Sequence, residues 1–203
     1  MNELFAVAAI TILAVVSPGG DFAMVTRNSY LYGRRAGVWT SVGIASAVWI
    51  HVGYTLLGVS VLLVKFPAAF HLVKTAGALY LMYIGFKTFR HRKVNVDLSG
   101  NHSEISRLAA FKTGFATNAL NPKTTLFVLS TFTQVVKPAT PMPVQVGYGA
   151  FMSLAHFAWF AAVATVLANP LIRNALLSKQ IYVNRFIGMV LFGLGAMLLF
   201  AAR

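Results

Sequence analysis

Long apolar runs alternate with short polar links along this chain. Six runs can be drawn, about Leu4 to Val25, Val38 to Val64, Pro67 to Phe86, Leu108 to Val135, Val144 to Ala168 and Tyr182 to Ala201. Each is close to the roughly 20 residues a helix needs to cross the hydrocarbon core of a bilayer. The pattern therefore predicts an all-α membrane protein of six spans. One long polar connection, His91 to Ser106 with Asp97, Ser99, Gly100, Asn101 and Glu104, predicts a flexible cytoplasmic loop over 91–106. It divides the chain into a first unit, 1–90, and a second, 107–203.

The two units match each other. Ser17-Pro18-Gly19-Gly20-Asp21 interrupts the first run, and Asn121-Pro122-Lys123-Thr124-Thr125 interrupts the fourth. His51 follows Pro18 by 33 residues and His156 follows Pro122 by 34. Lys74-Thr75-Ala76-Gly77 opens the third run and Arg185-Phe186-Ile187-Gly188 the sixth. Three correspondences in the same order predict a duplicated three-span unit. Three is odd, so the second copy enters the membrane from the opposite side, giving two inverted three-helix repeats.

Composition agrees with a chain dissolved in lipid. Hydrophobic residues make up 58% and charged residues 10%, whereas a soluble domain is about a quarter charged. The formal net charge of +13 would direct a soluble protein to a polyanion, but here the basic residues gather between apolar runs and no nucleic-acid module is present. Arg27, Arg34 and Arg35, then Lys87, Arg90, Arg92, Lys93, Arg107 and Lys112, then Arg173, Lys179 and Arg185 are assigned to loops after spans 1, 3 and 5 and their flanks; Lys65, Lys137 and Arg203 fall on the other side. The positive-inside rule places the first set in the cytoplasm and both termini outside it. The start Met1-Asn2-Glu3 lacks a basic signal-peptide region, and the first run is read as a retained span. With no cysteine, disulfides, thiolate metal sites and thiol redox chemistry are excluded.

Candidate chemistry centres on the two interruptions. Proline removes a backbone donor, so spans 1 and 4 are expected to break near Pro18 and Pro122. Freed backbone groups are tolerated at membrane depth only inside protein or beside a wet cavity, which points both breaks at a shared site. The helices restarting at Asp21 and Thr124 offer N-terminal N–H groups to an anion such as a carboxylate. Asp21, the only acidic residue within a run, is a candidate for a substrate ammonium or a proton; Lys123 is its charge balance or the carboxylate's partner. A structural ion pair between the two is the alternative. His51 and His156, near Trp49 and Trp159, are candidates either for a proton relay with Asp21 or for hydrogen bonds between helices. No metal site is expected, because neither histidine has a His, Cys or acidic residue at i+3 or i+4. No phosphate loop, nucleophile elbow or zinc helix appears, so no enzyme activity and no cofactor are expected. A gradient-driven carrier is the simplest reading, with a metal-cation or other inorganic-ion carrier on the same scaffold as the alternative.

These residues resemble the LysE/RhtB amino-acid exporters, a bacterial family of inner-membrane carriers. The resemblance runs over the whole chain, through Ser17-Pro18-Gly19-Gly20-Asp21, Gly33-Arg34-Arg35-Ala36-Gly37, Lys74 to Gly85 and Asn118 to Lys123. It implies export of small, neutral amino acids or analogues such as threonine, homoserine or a branched-chain residue, in exchange for protons. It also implies a substrate site at Ser17, Pro18, Gly19, Gly20, Asp21, Asn118, Asn121, Pro122 and Lys123. Gly20 stands where relatives commonly carry a second proline, which loosens the first interruption. Partners follow from the same reading: an amino acid, protons, the bilayer and a second copy of the chain.

Overall fold

A computed structural model describes residues 3–90, 105–137, 139–167 and 170–201. Among these residues the chain is all helix: α1 (Glu3–Val16), α2 (Gly20–Lys65), α3 (Pro67–Arg90), α4 (Arg107–Ala119), α5 (Pro122–Gln134), α6 (Met142–Leu167) and α7 (Pro170–Ala201). The expected polar loop falls, from 91 to 104, outside the described residues. Its last residue, Ser106, caps α4, its hydroxyl accepting from the Ala109 N–H at 3.2 Å.

Two interhelix links are set by local chemistry. Beyond Val16 the Ser17-Pro18-Gly19 segment separates α1 from α2. Beyond Ala119, Asn121 caps α5: its side-chain oxygen accepts from the Lys123 N–H at 3.0 Å, and Pro122, which has no N–H to satisfy, takes the first helical position.

The reversal expected in the basic link between the first two runs is taken inside α2, at a single residue. Gly33 has φ 81° and ψ 172°, a region essentially reserved for glycine. Across it the Asn28 side-chain amide donates to Thr40 Oγ1 at 2.9 Å. In one straight helix those residues would stand about 18 Å apart. α2 is therefore two limbs, 20–32 and 34–65, folded back on each other at Gly33. Arg27, expected in a loop, lies in the first limb. Likewise Arg173, Lys179 and Arg185, assigned to the loop region before the sixth run, lie in α7, which starts at Pro170 rather than near Tyr182. A helix continues into polar surroundings without loss of its backbone bonds, so apolar runs mark lipid contact rather than helix ends.

At about 1.5 Å per residue, the second limb of α2 and α3, α6 and α7 each exceed the ~30 Å of a hydrocarbon core, whereas α1, the first limb of α2, α4 and α5 each reach only about 20 Å. Gly20–Gly58, which includes the reversal at Gly33, and Met142–Val166 each contain an apolar helical stretch long enough to cross a membrane; Glu3–Val16 and Arg185–Met197 are apolar but shorter.

Exposure is inverted relative to a protein in water. Leu57, Leu154 and Phe186 are 73%, 65% and 62% exposed, while Asn28, His51 and Asn118 are fully buried. Apolar side chains left outside and polar ones paired inside fit hydrocarbon as the solvent. In that solvent helices gain little from hiding apolar area and associate through close backbone packing. α2 packs on α4 and α6, and α3 on α7. A methyl group on Gly114 would land on the Thr40 carbonyl, and one on Gly43 on the Phe111 carbonyl, so α2 and α4 touch backbone to backbone. α3 and α7 do the same at Gly85 and Gly188. Two apolar clusters, one around Ile10, Val52, Phe127 and Met152 and one around Val15, Ile44 and Phe160, lie within α1, α2, α5 and α6.

Candidate functional site

Between these clusters a small cavity is lined by Ser17, Gly19, Asp21 and Phe22 from the first interruption, Asn121, Lys123, Thr124 and Phe127 from the second, Ala14 and Val15 of α1, and His156 and Phe160 of α6. The two interruptions, a hundred residues apart in sequence, thus meet at one point. Their helix N-termini, at Gly20 and Pro122, both open there, where N–H groups without helical partners favour negative charge.

Asp21, in the first turn of α2, is 6% exposed. Its Oδ2 accepts from the side-chain amides of Asn118 at 2.9 Å and Asn121 at 3.0 Å. Its Oδ1 is also buried and meets no donor among the described residues. The second hydrogen of the Asn118 amide goes to Thr124 Oγ1 at 3.0 Å. Asn121 therefore works twice, capping α5 with its oxygen and holding Asp21 with its nitrogen. Lys123 Nζ donates to the Ser17 carbonyl at 2.5 Å, at the C-terminal end of α1 where a cation is favoured. Asp21 and Lys123 share the cavity without sharing a hydrogen bond, so the simple ion pair weighed from sequence is not the arrangement adopted. Ser17 turns its hydroxyl to Thr88 of α3 at 3.0 Å.

The histidines occupy different places. His51 does not line the cavity. Its Nε2 lies 2.9 Å from the Asn118 carbonyl and its Nδ1 2.8 Å from the Tyr54 hydroxyl. A carbonyl only accepts, so Nε2 carries the proton and Nδ1 accepts. His51 thus pins the residue that holds Asp21. His156 does line the cavity; its Nδ1 donates to the Met152 carbonyl at 2.7 Å.

Of the residues carried over from the resemblance, Ser17, Gly19, Asp21, Asn121 and Lys123 line the cavity, and Asn118 supports it from behind. Pro18, Gly20 and Pro122 do not line it; they shape the two links, and the Pro122 carbonyl accepts from the Tyr80 hydroxyl at 3.4 Å. Sequence reasoning passed over Thr88, Phe22, Phe127 and Phe160, and took Thr124 only as a helix start. Helical spacing would have found two of them, since Phe127 follows Lys123 by one turn and Phe160 follows His156 by one turn. Among the described residues no three His, Asp or Glu side chains gather as metal ligands. The cavity measures about 20 Å³, room for one water molecule and not for an amino acid.

Residues 12–202 match the LysE type translocator family. A threonine efflux protein of Salmonella typhimurium is 28% identical over 198 residues, covering 96% of both chains. Its Escherichia coli counterpart, also named threonine efflux protein, is 28% identical over 192 residues and 93% of both chains. A homoserine/homoserine lactone efflux protein of Salmonella typhimurium is 29% identical over 141 residues, covering 70% of this chain and 68% of its own. No solved structure is significantly similar to the chain. With the match running through both interruptions and nearly all of the helices, this chain is a membrane protein belonging to the LysE type translocator family.

Proposed function

We propose that the protein exports small, neutral amino acids across the bacterial inner membrane in exchange for protons. The observation that carries this reading is the pairing of unlike charges on one cavity: Asp21 with a free, buried Oδ1, and Lys123 beside the N-terminus of α5. An amino acid carries the complementary pair, an ammonium for Asp21 and a carboxylate for Lys123 and the α5 N–H groups. One carboxylate balances one ammonium, so a substrate with a second cationic group finds no partner. The relatives named for threonine and homoserine are consistent with a neutral side chain.

In the same reading α1 with the first limb of α2, and α4 with α5, are the interrupted first spans of two inverted three-helix repeats, with both termini outside the cytoplasm. Their shortness supports this, since none of the four crosses a bilayer alone. The cavity of about 20 Å³ then represents a closed stage, and a substrate enters when one half tilts against the other. Asp21 takes either a proton or an ammonium, and that competition couples export to proton uptake.

Counterflow of labelled amino acids into proteoliposomes, with and without an imposed pH gradient, tests the proposal. Gradient-dependent exchange of a neutral amino acid is expected. A folded protein that moves no amino acid overturns it.

A further inference from the structure

One polar atom on the cavity has no role in holding either charge. His156 is 4% exposed, its ring flanked by Phe127 and Phe160 with centroids at 6.4 and 6.2 Å. Because its Nδ1–H is committed to the Met152 carbonyl, the neutral ring leaves Nε2 as a lone-pair acceptor. Nε2 has no hydrogen-bond partner among the described residues. Of the residues that line the cavity with it, Ala14, Val15, Phe22, Phe127 and Phe160 are apolar.

From this we infer that His156 is a specificity-determining residue that accepts a hydrogen bond from a hydroxyl on the substrate's side chain. The inference rests on the proposed export function. With the ammonium at Asp21 and the carboxylate at Lys123, the side chain of the substrate faces the remaining wall, where Nε2 is the acceptor. A hydroxyl fills that acceptor. An apolar side chain of the same shape expels water from it and leaves it unpaired. Sites built to pair a substrate hydroxyl reject the analogue that lacks one, whereas apolar walls alone separate such isosteres poorly. The aromatic flanks hold the ring in one orientation, and the Met152 carbonyl fixes its tautomer, so the acceptor is aimed before the substrate arrives.

Threonine and valine differ by a hydroxyl against a methyl, and their competition in proteoliposome counterflow is the test. The wild-type chain is expected to prefer threonine by about 10- to 100-fold, the range of one buried unpaired acceptor. His156→Phe keeps an aromatic ring between the two phenylalanines and removes the acceptor; the threonine-to-valine ratio is expected to fall to near one. His156→Leu serves the same end if the larger ring does not fold, as judged by thermal unfolding in detergent. His156→Gln, which restores an acceptor, is expected to recover part of the preference. Equal transport of threonine and valine by the wild type overturns the inference and leaves the export reading standing. So does an unchanged ratio in the apolar variants, or an equal loss for both substrates, which marks a merely structural histidine. A wild-type chain that moves no amino acid overturns the export reading and this inference with it.

Discussion

Replacing Asp21 by asparagine separates transport from folding. Asparagine is nearly the same shape, and its oxygen fits the place of Oδ2, where it continues to accept from Asn118 and Asn121. Those two bonds change from charge-assisted to neutral and lose about half their strength, roughly 1 kcal/mol each. The new NH₂ group takes the place of the free Oδ1 and faces the substrate ammonium donor to donor. The lost charge-assisted bond alone is worth about 1.5–3 kcal/mol, which is roughly 10- to 150-fold in affinity. Repulsion adds to that, so counterflow at low substrate should fall by at least about 100-fold while the protein still folds. Asp21→Ala is the contrast. It leaves the buried Asn118 amide and the partly buried Asn121 amide each short of an acceptor, at up to about 1–3 kcal/mol each, and should lose thermal stability as well as transport. Initial counterflow rates and thermal unfolding in detergent, measured side by side, read both effects. Wild-type flux from Asp21→Asn would refute the reasoning and reduce Asp21 to a tether for the two asparagines.

Other substitutions test the frame around the site. Gly33→Ala meets no atom within 4 Å, so its effect is purely one of backbone strain, about 1–3 kcal/mol, seen as a lower unfolding temperature. Gly114→Val drives a side chain into the Thr40 carbonyl and should destabilise by at least about 1–3 kcal/mol; Gly147→Ala, with open space around it, should be neutral or slightly stabilising, a matched control in the same melt. A reporter fused after Arg203 should be active outside the cytoplasm, and cytoplasmic activity would overturn the proposed six-span topology.

Much of the helical frame is legible in the sequence because proline and apolar length act locally. α1 stops two residues before Pro18, and α5 starts at Pro122 behind its asparagine cap. The turn between the first two runs was legible in the basic link after Val25, but its residue was not: Gly33 looks like any other glycine until Asn28 meets Thr40 across it. The early start of α7 was hidden for a different reason. Arg173 and Lys179 read as loop because hydropathy reports the solvent a residue meets and not its backbone. Around the cavity, Asp21 and Lys123 stand out as charges in apolar runs. The links that give them geometry, Asn118 to Asp21 and His51 to the Asn118 carbonyl, span 97 and 67 residues. No local pattern announces them, since each requires the fold to bring its partners together.

The crossing of α3 and α7 bears on how such a molecule moves. At Gly85 and Gly188 the backbones meet without intervening side chains, and one helix comes from each half of the chain. A contact with nothing interlocked resists being pulled apart, because many close atom pairs would be lost at once, yet it offers no ridge to climb when the helices turn over one another. In the proposed exporter such a pair would serve as an axle, about which the two halves rock while remaining joined.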